Sequence, residues 1–257
     1  MTLTLTPVPS LPLIKSGDDL PEIILASLDR AGISLISGDI LVLAQKIVSK
    51  SEGRLVRLSD VTPSKRAEEL AVVTQKDPRF IELVLRESRE VLRTRPGTIV
   101  VEHKQGFVCA NAGIDHSNVL GDRTDINVEE WFLLLPEDAD ASARKIRDSI
   151  HAITGQEVGI LIIDSHGRAW RLGTVGVAIG VAGVPGLVDL RGTQDLFGYT
   201  LRVTMVAASD ELAAAASLVM GQAAEGTPVV HVRGFPYPLR DSALDELIRP
   251  REMDMFR

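Results

Sequence analysis

The chain has 257 residues, of which 45% are hydrophobic and 25% charged, a composition typical of a globular protein with a substantial core. The formal net charge of -7 argues against a nucleic-acid partner, because binding to a phosphate backbone requires clustered Lys and Arg. The single cysteine, Cys109, excludes an intrachain disulfide, and its apolar neighbours predict a buried, unreactive thiol.

No targeting or membrane segment is apparent in the sequence. The first residues, Met1 to Leu13, lack the basic start and long apolar stretch of a signal peptide, so we expect a cytoplasmic protein. The stretch 172–190 is interrupted by glycines, Pro185 and Asp189, and it falls short of the ~20 apolar residues of a spanning helix. An acidic protein that binds anionic substrates needs local Lys, Arg or metal ions to hold them.

Capping residues and apolar spacing predict helices and strands in the first half of the chain. In chain order they are a helix from Leu20 to Ala31, a buried strand from Asp39 to Ala44, a helix from Thr62-Pro63 to about Val73, a helix from Pro78 whose apolar spacing includes Val91 and Leu92, and a hairpin of strands 98–102 and 106–110. The stretch 45–53 follows a buried strand directly, and its many polar groups indicate a site.

The second half predicts further interspersed elements. They are a helix capped within 136–140 that runs to Ile153, a strand from Val158 to Ile163, a helix from Glu211 to Met220 capped by Ser209-Asp210, and a strand from Val229 to Val232. The glycine-rich stretch after Arg171 has neither the GxGxxG nor the Walker spacing, which argues against a Rossmann or P-loop domain. Without a regular βαβ alternation, we predict an α+β fold with mixed or antiparallel sheets and flanking helices.

Two aspartates are candidate metal ligands. Asp115 and Asp164 each stand where an apolar strand is expected to give way to a polar loop. Such positions present hard oxygens to a shared cleft, and Mg2+ or Mn2+ prefers them. Ser165 and Asn118 add oxygen and amide groups nearby. Taken singly, each aspartate is equally explained as a turn former.

Lysines and a loop could hold a triphosphate. Lys15, Lys46 and Lys50 lie beside structured segments, although each could simply be a solvated surface lysine. The loop from Gly221 to Gly226 has backbone amides that could face an anion, with Gln222 as a carbonyl ligand; its plainer interpretation is a helix C-terminal turn. The five histidines show no zinc-site spacing, and no nucleophile motif is present.

Several motifs in this order resemble the coenzyme F420-0:L-glutamate ligase family, also called gamma-glutamyl ligases. They lie at 11–15 with 17–20, 47–54, 111–115 with 117–118, 134–138, 163–165 with 167–168, 176–180, 195–198 and 218–221. The match runs over nearly the whole chain and implies one ligase module over residues 1–257, of one or two lobes. Some relatives continue into a C-terminal nitroreductase-like domain, which we do not expect here.

The resemblance implies a homodimeric enzyme that uses GTP to join glutamate to the lactyl carboxylate of coenzyme F420-0 and then adds gamma-linked glutamates. It implies Mg2+ or Mn2+, with two ions the expected number and K+ a further candidate. Two other functions fit the same residues: a metal-dependent hydrolase or phosphotransferase of a small phosphorylated metabolite, and a non-catalytic nucleotide-binding protein.

The resemblance also implies roles for individual residues. The implied catalytic residues are Lys50, Asp115 and Asp164, and the implied metal ligands are Asp115, Asp164, Ser165 and Gln222. The implied nucleotide-binding residues are Pro12, Leu13, Ile14, Lys15, Gln45, Lys50, Asn118, Met220, Gly221, Gln222, Ala223, Ala224, Glu225, Gly226 and Thr227. Ser165 replaces the threonine of many members but keeps the hydroxyl, whereas Gln45 replaces the serine of some, which weakens its assignment.

Overall fold

A five-stranded mixed sheet forms the centre of the protein in a computed structural model, which describes residues 2–119 and 130–255. The strands are β1 (Thr4–Pro7), β2 (Ile40–Ala44), β3 (Leu55–Arg57), β4 (Ser88–Arg95), β5 (Thr98–His103), β6 (Val108–Ala110), β7 (Trp131–Leu133), β8 (Gly159–Arg168), β9 (Arg171–Ala182), β10 (Val188–Asp189), β11 (Met205–Val206) and β12 (Val229–Arg233). The helices are α1 (Leu20–Arg30), α2 (Gln45–Ser51), α3 (Lys65–Thr74), α4 (Pro78–Arg86), α5 (Ala139–Thr154) and α6 (Ala208–Met220).

The central sheet has the strand order β1-β12-β2-β8-β9. Strands β2 and β8 run parallel, with Ala44 opposite Ile163, and the other neighbours are antiparallel. The carboxyl end of β2 therefore lies beside Ile163 in the middle of β8. The smaller sheets are β4-β5-β6, β3-β7 and β10-β11. These mixed and antiparallel sheets with separate helices confirm the predicted α+β fold.

Apolar side chains cover both faces of the central sheet. On one face, Ile24 of α1 and Ile146 of α5 pack in a cluster with Ile160 and Ile162 of β8. On the other face, α6 packs through Leu212 and two buried alanines against the intervening residues of β8. Alternate residues of one strand thus serve two cores, as expected of a strand buried on both sides.

A third core lies in the segment between β3 and β7. It joins side chains of α3 and α4, including Phe80 and Ile81, to Ile99 and Val101 of β5. The two ends of this segment lie next to each other, because β3 pairs with β7 and the N–H of Leu134 donates to the Arg54 carbonyl. This arrangement places a separately packed unit beside the carboxyl end of β2.

Several predicted boundaries are confirmed, and others are wrong. Helices α1 and α5, the hairpin of β5 and β6, and strand β12 match the predicted elements closely. The helix predicted from Thr62-Pro63 begins at Lys65. Ser64 is its N-cap, and the Ser64 side chain accepts a hydrogen bond from the Ala67 N–H. The helix from Pro78 ends at Arg86, and Val91 and Leu92 lie in β4, where Val91 pairs with Val101. Pairing with β5 overrides the helical spacing.

Two further corrections concern strand β8 and helix α6. Asp164 and Ser165 were expected just beyond the end of a strand, but β8 continues to Arg168 and pairs both residues with β9. Ser209 and Asp210 were expected to cap a helix, but they lie in its first turn, where Asp210 accepts a hydrogen bond from the Ala178 N–H. In both cases β9 provides the hydrogen-bond partners that the sequence signal could not reveal.

The cysteine prediction is confirmed. Cys109 is buried in β6, and burial raises the pKa of its thiol to about 12, so the thiolate is scarce at neutral pH. Among residues 2–119 and 130–255, no helix is both long and apolar enough to cross a membrane.

Candidate functional site

A cavity of about 440 Å3 opens where β2 ends beside the middle of β8. Gln45 begins α2 directly after β2, and Asp164 follows Ile163 in β8, so the two parallel strands deliver both residues to the same place. Asp115 reaches this place from the segment that holds the third core, and its backbone is fixed by reciprocal hydrogen bonds with Leu133. Three distant parts of the chain therefore meet at one site.

The cavity collects most of the predicted nucleotide-binding residues. Its lining includes Pro12, Leu13, Ile14, Gln45, Lys50, Asn118 and the whole loop 220–227, together with Asp164 and Ser165. Among the described residues, Lys15 and Asp115 do not line it; Asp115 lies behind Gln45. The structure brings these side chains together, and their individual roles stay predictions.

Asp115 is enclosed by polar partners. Its Oδ2 accepts a hydrogen bond from Gln45 Nε2 at 2.5 Å and contacts Lys46 Nζ at 2.5 Å. Burial raises the pKa of Asp115 above its usual value; the Lys46 ammonium opposes this shift, and the charge of Asp164 adds to it. A nearby carboxylate disfavours the ionised form of Asp115, and a cation close to Asp115 favours it.

Asp164 and Ser165 are successive residues of β8, and both line the cavity. Asp164 Oδ2 pairs with His166 Nε2 at 3.0 Å, and the His166 ring contacts the Phe107 ring at a centroid distance of 5.4 Å. Ser165 Oγ donates to Gln222 Oε1 at 2.8 Å. The Asp164 carboxylate is therefore held by His166 of β8, and the Ser165 hydroxyl is bound to Gln222 of the loop after α6.

Lysines supply positive charge at the cavity. Lys50 lines it, and burial together with the nearby Lys46 ammonium lowers the pKa of Lys50, an effect that the charge of Asp115 opposes. Lys46 was noted in the sequence only as one of three lysines, yet its ammonium binds both Asp115 and the Ser117 carbonyl. These two ammonium groups give an acidic protein the local charge that a phosphate ligand requires.

The loop 221–226 is closed at its base and held on one side. Thr227 Oγ1 donates to the Met220 carbonyl at 2.9 Å, and Asn118 Nδ2 donates to the Ala223 carbonyl at 2.8 Å. The Glu225 carboxylate accepts the Ala223 N–H at 2.8 Å, and backbone donors of the loop lower the pKa of Glu225. Backbone amides of the loop therefore bind the loop's own carboxylate, and phosphate binding by this loop stays a prediction.

The oxygen donors fit a hard divalent cation. Ser165 Oγ and Gln222 Oε1 are hydrogen-bonded at 2.8 Å beside Asp164 in the cavity lining, and carboxylate and neutral oxygen atoms are the ligands that Mg2+ prefers. Within 2–119 and 130–255, no group of three or more His, Cys, Asp or Glu side chains is arranged to hold a metal. A cation at the two aspartates would therefore depend on neutral oxygen ligands and on substrate phosphates.

Two buried serines escaped the sequence analysis. Ser49 Oγ donates to Gln45 Oε1 at 2.9 Å, and Ser217 Oγ accepts from Gln222 Nε2 at 2.8 Å. The only sequence signal was spacing, because Ser49 follows Gln45 by four residues, one helical turn. Ser217 precedes Gln222 by five residues across a helix end, a spacing that has no meaning until the loop conformation is known.

Comparisons with known proteins identify the family of the chain. The family model described as F420-0:Gamma-glutamyl ligase matches residues 9–234. A protein named coenzyme F420:L-glutamate ligase from Methanothermobacter thermautotrophicus is 46% identical over 259 residues, which cover all of both chains. Proteins of the same name from Methanopyrus kandleri and Archaeoglobus fulgidus are 44% and 43% identical, and all of this chain aligns with 98% and 97% of theirs.

Proposed function

Because the chain belongs to the F420-0:gamma-glutamyl ligase family, we propose that it is a ligase that joins L-glutamate to coenzyme F420-0 at the expense of GTP. The acceptor is the lactyl carboxylate, later glutamates are added through gamma linkages, and GDP and phosphate are released. The support for the ligase reaction is similarity over the full length of named relatives. Support for the nucleotide and metal comes from the side chains around the cavity.

A carboxylate does not condense with an amine unaided, because its oxygen is a poor leaving group. In the proposed reaction, an acceptor carboxylate oxygen bonds to the γ-phosphorus as the bond to GDP breaks, which gives an acyl phosphate. The glutamate amine then attacks the acyl carbon, phosphate leaves, and the amine loses a proton. Each step requires close alignment of two anionic or polar reactants, so positioning and charge neutralisation are the main tasks of the protein.

Divalent cations, when bound, would offset phosphate charge and polarise the γ-phosphoryl oxygens. The residues proposed to hold them are Asp115, Asp164, Ser165 and Gln222. Lys50, with its ammonium at the cavity, orients the phosphates, and the loop 220–227 contacts the nucleotide through its backbone. Gln45 is almost fully buried. It lines the cavity, and its Nε2 donates a hydrogen bond to the Asp115 carboxylate.

One observation carries the proposal. Asp115 and Asp164 come from separately packed parts of the chain, yet they are close enough for the charge of Asp164 to raise the pKa of Asp115, and they adjoin a cavity with two lysines. A cavity of about 440 Å3 lies within the range of roughly 300–1,000 Å3 typical of small-molecule sites.

The test is incubation of the purified protein with coenzyme F420-0, GTP, Mn2+ and glutamate, followed by mass spectrometry of the deazaflavin product. We expect glutamyl adducts and GDP release that depends on glutamate. GDP release that does not depend on glutamate would instead indicate a hydrolase. Tight GTP binding without turnover and unaffected by chelator would indicate a non-catalytic nucleotide-binding protein.

Asp115→Asn and Asp164→Asn should each reduce glutamate addition roughly a thousandfold, because loss of a cation removes several kcal/mol of charge stabilisation. The matched control is Asp148→Asn, which changes an exposed carboxylate on α5. Initial rates and circular dichroism would be measured for all three variants. Near-normal rates in both site variants would contradict the metal assignment.

We also propose that the protein is a homodimer. The segment 188–206 contains the two-stranded β10-β11 sheet, and its side chains Leu196 and Phe197 are 98% and 94% exposed. A two-stranded ribbon is marginally stable alone in water, and clustered exposed apolar groups mark interaction surfaces. Coverage by a second copy would protect these side chains.

A further inference from the structure

Gln45 and Lys46 separate Asp115 from the cavity. Among the described residues, the cavity lining includes Gln45 and Lys46 but not Asp115. The Nε2 atom of Gln45 and the Nζ atom of Lys46 both contact one oxygen of Asp115, Oδ2, at 2.5 Å. A ligand in the cavity can therefore reach this oxygen only where one of the two side chains gives way.

The two partners of Asp115 differ in their freedom to move. Gln45 is 1% exposed, and its Oε1 accepts a hydrogen bond from the buried Ser49 hydroxyl at 2.9 Å. The Lys46 side chain is 27% exposed, has a flexible four-carbon stem, and also donates to the carbonyl of the exposed Ser117. Movement of Gln45 would break two hydrogen bonds of a buried side chain, whereas Lys46 can move away while Gln45 still donates to Asp115.

An ammonium group and a divalent cation compete for a carboxylate oxygen. Like charges a few ångströms apart repel each other, and the repulsion doubles when one of them carries two charges. Asp115 is one of the carboxylates proposed to hold a cation, and the Lys46 ammonium lies against its Oδ2. The two cations cannot share that atom without strong repulsion, so binding of the metal ion favours departure of the ammonium.

Helix α2 offers the Lys46 ammonium a second place. Lys46 and Lys50 are four residues apart in α2, so their side chains lie on the same face of the helix. Both line the cavity, and burial together with the Lys46 ammonium lowers the pKa of Lys50, so the two ammonium groups lie within electrostatic reach of each other. A triphosphate in the cavity would offer oxygens to both of them.

We propose that Lys46 alternates between two anionic partners: its ammonium binds Oδ2 of Asp115, and it moves to the nucleotide phosphates when a divalent cation binds that oxygen. This inference rests on the proposed function for the presence of the nucleotide and the cation. Asp115 has a cationic partner in both arrangements, and the phosphates gain a second ammonium beside that of Lys50. The affinity for the metal then depends on the nucleotide and, by linkage, the affinity for the nucleotide depends on the metal.

The first experiment measures Mn2+ binding to the full chain without nucleotide, from the electron paramagnetic resonance signal of free Mn2+. Lys46→Met keeps an unbranched apolar stem but removes the charge, so Mn2+ binding should become about tenfold tighter, a change within the usual range of coupling between two sites. With Mn2+ present, calorimetry should show about tenfold weaker binding of a non-hydrolysable GTP analogue, because its phosphates lose one ammonium.

The matched control is Lys145→Met, which removes an exposed ammonium of α5 outside the cavity lining. It makes the same change in net charge and should alter neither affinity by more than twofold. Unchanged or weaker Mn2+ binding in Lys46→Met would overturn the proposal, as would unchanged binding of the analogue. Failure of both the wild type and Lys46→Met to bind Mn2+ would overturn it as well.

A crystal structure of the wild-type chain with Mn2+ and the GTP analogue separates movement of Lys46 from a general effect of its charge. We expect Nζ to leave Oδ2 of Asp115 and to lie within hydrogen-bond distance of a phosphate oxygen. An ammonium that stays on Oδ2 beside the bound ion would overturn the proposal. If the expected results appear but no glutamyl product forms, Lys46 keeps this role and the proposed reaction fails; glutamate ligation with Lys46 fixed on Asp115 gives the reverse.

Discussion

Asp39 is a buried carboxylate outside the cavity, and two side chains of β12, His231 and the Arg233 guanidinium, bind it. Its oxygens accept hydrogen bonds from His231 Nε2 at 2.9 Å and from Arg233 Nε and Nη2 at 2.8 and 2.7 Å. Burial alone would raise the pKa of Asp39, but the hydrogen bonds from Arg233 and His231 outweigh it and lower that pKa. The ionised group therefore joins β2 to β12 through side chains as well as through the sheet.

Asp39→Asn should reduce the free energy of unfolding by about 2 kcal/mol at pH 7, because it leaves buried donors with a weaker acceptor. A depressed pKa in the folded state stabilises the protein above the unfolded value of about 3.9, and this stabilisation is lost as the pH falls through the folded pKa. Urea unfolding at pH 7 and below pH 4 should therefore show the difference between wild type and variant shrinking in acid. A constant difference would contradict this assignment.

Single residues were predictable where their chemistry is unusual for their position. Asp115 and Asp164 stood out because carboxylates at the ends of apolar runs are conspicuous. Ser49 and Ser217 did not, because a serine within a helix is ordinary and its importance comes from a partner outside the turn. Lys46 was visible as a lysine, but its pairing with Asp115 depends on a contact between residues 69 positions apart.

At the scale of an element, two glycines of strand β9 allow helices to pack closely against it. A Cβ on Gly176 would lie 2.5 Å from the Ala213 carbonyl oxygen of α6, and one on Gly180 would lie 2.5 Å from the Ala139 carbonyl oxygen of α5. Helices can therefore approach the same strand closely at two points. The sequence analysis excluded known nucleotide motifs from this glycine-rich stretch but did not predict its packing role.

Gly176→Ala should destabilise the protein by about 1–3 kcal/mol, because the added methyl group meets backbone that cannot move independently. The control is Gly167→Ala in β8, where a Cβ meets nothing within 4 Å and the effect should stay within about 0.5 kcal/mol. Urea unfolding measures both variants. Equal stability of the two would show that α6 can shift without cost.

Elements were predicted best where local signals and packing agree. The Asp138 cap and the apolar spacing of α5 coincide with its observed start and buried face. Val91 and Leu92 continue the helical spacing of apolar residues that begins at Phe80. The helix nevertheless ends at Arg86, and residues 88–95 pair with β5. Pairing between strands depends on residues that are distant in sequence, and no local window contains that information.

At the scale of the whole molecule, the proposed dimer leads to a prediction about the oligomeric state of a surface variant. Leu196→Ser and Phe197→Ser together should convert dimers to monomers, because they remove apolar surface from the tip of the segment 188–206. The control is Val72→Ser on α3, which changes an apolar side chain outside this segment that is 79% exposed. Light scattering after size-exclusion chromatography measures the mass, and an unchanged dimer in the double variant would exclude this segment as the interface.

The sequence predicted the class of the fold and the composition of the site, but not how the parts are arranged. Motifs in the correct order identified the family, and most implied nucleotide-binding residues do line one cavity. The sheet order and the approach of Asp115 to Gln45 depend on contacts between segments separated by tens of residues. Such contacts follow from the packing of complete elements, which spacing alone does not determine.

Strands β3 and β7 bring the entry and exit of the intervening segment to neighbouring hydrogen-bonded positions. A graft of this segment from a related protein would require no stretching of the chain at either junction. Since the segment also carries Asp115, such a chimera would inherit one carboxylate from the donor and Asp164 from the host. Recombination at Arg54 and Leu134 would therefore exchange one of the two carboxylates proposed to bind cations in a single step, while the central sheet keeps its register.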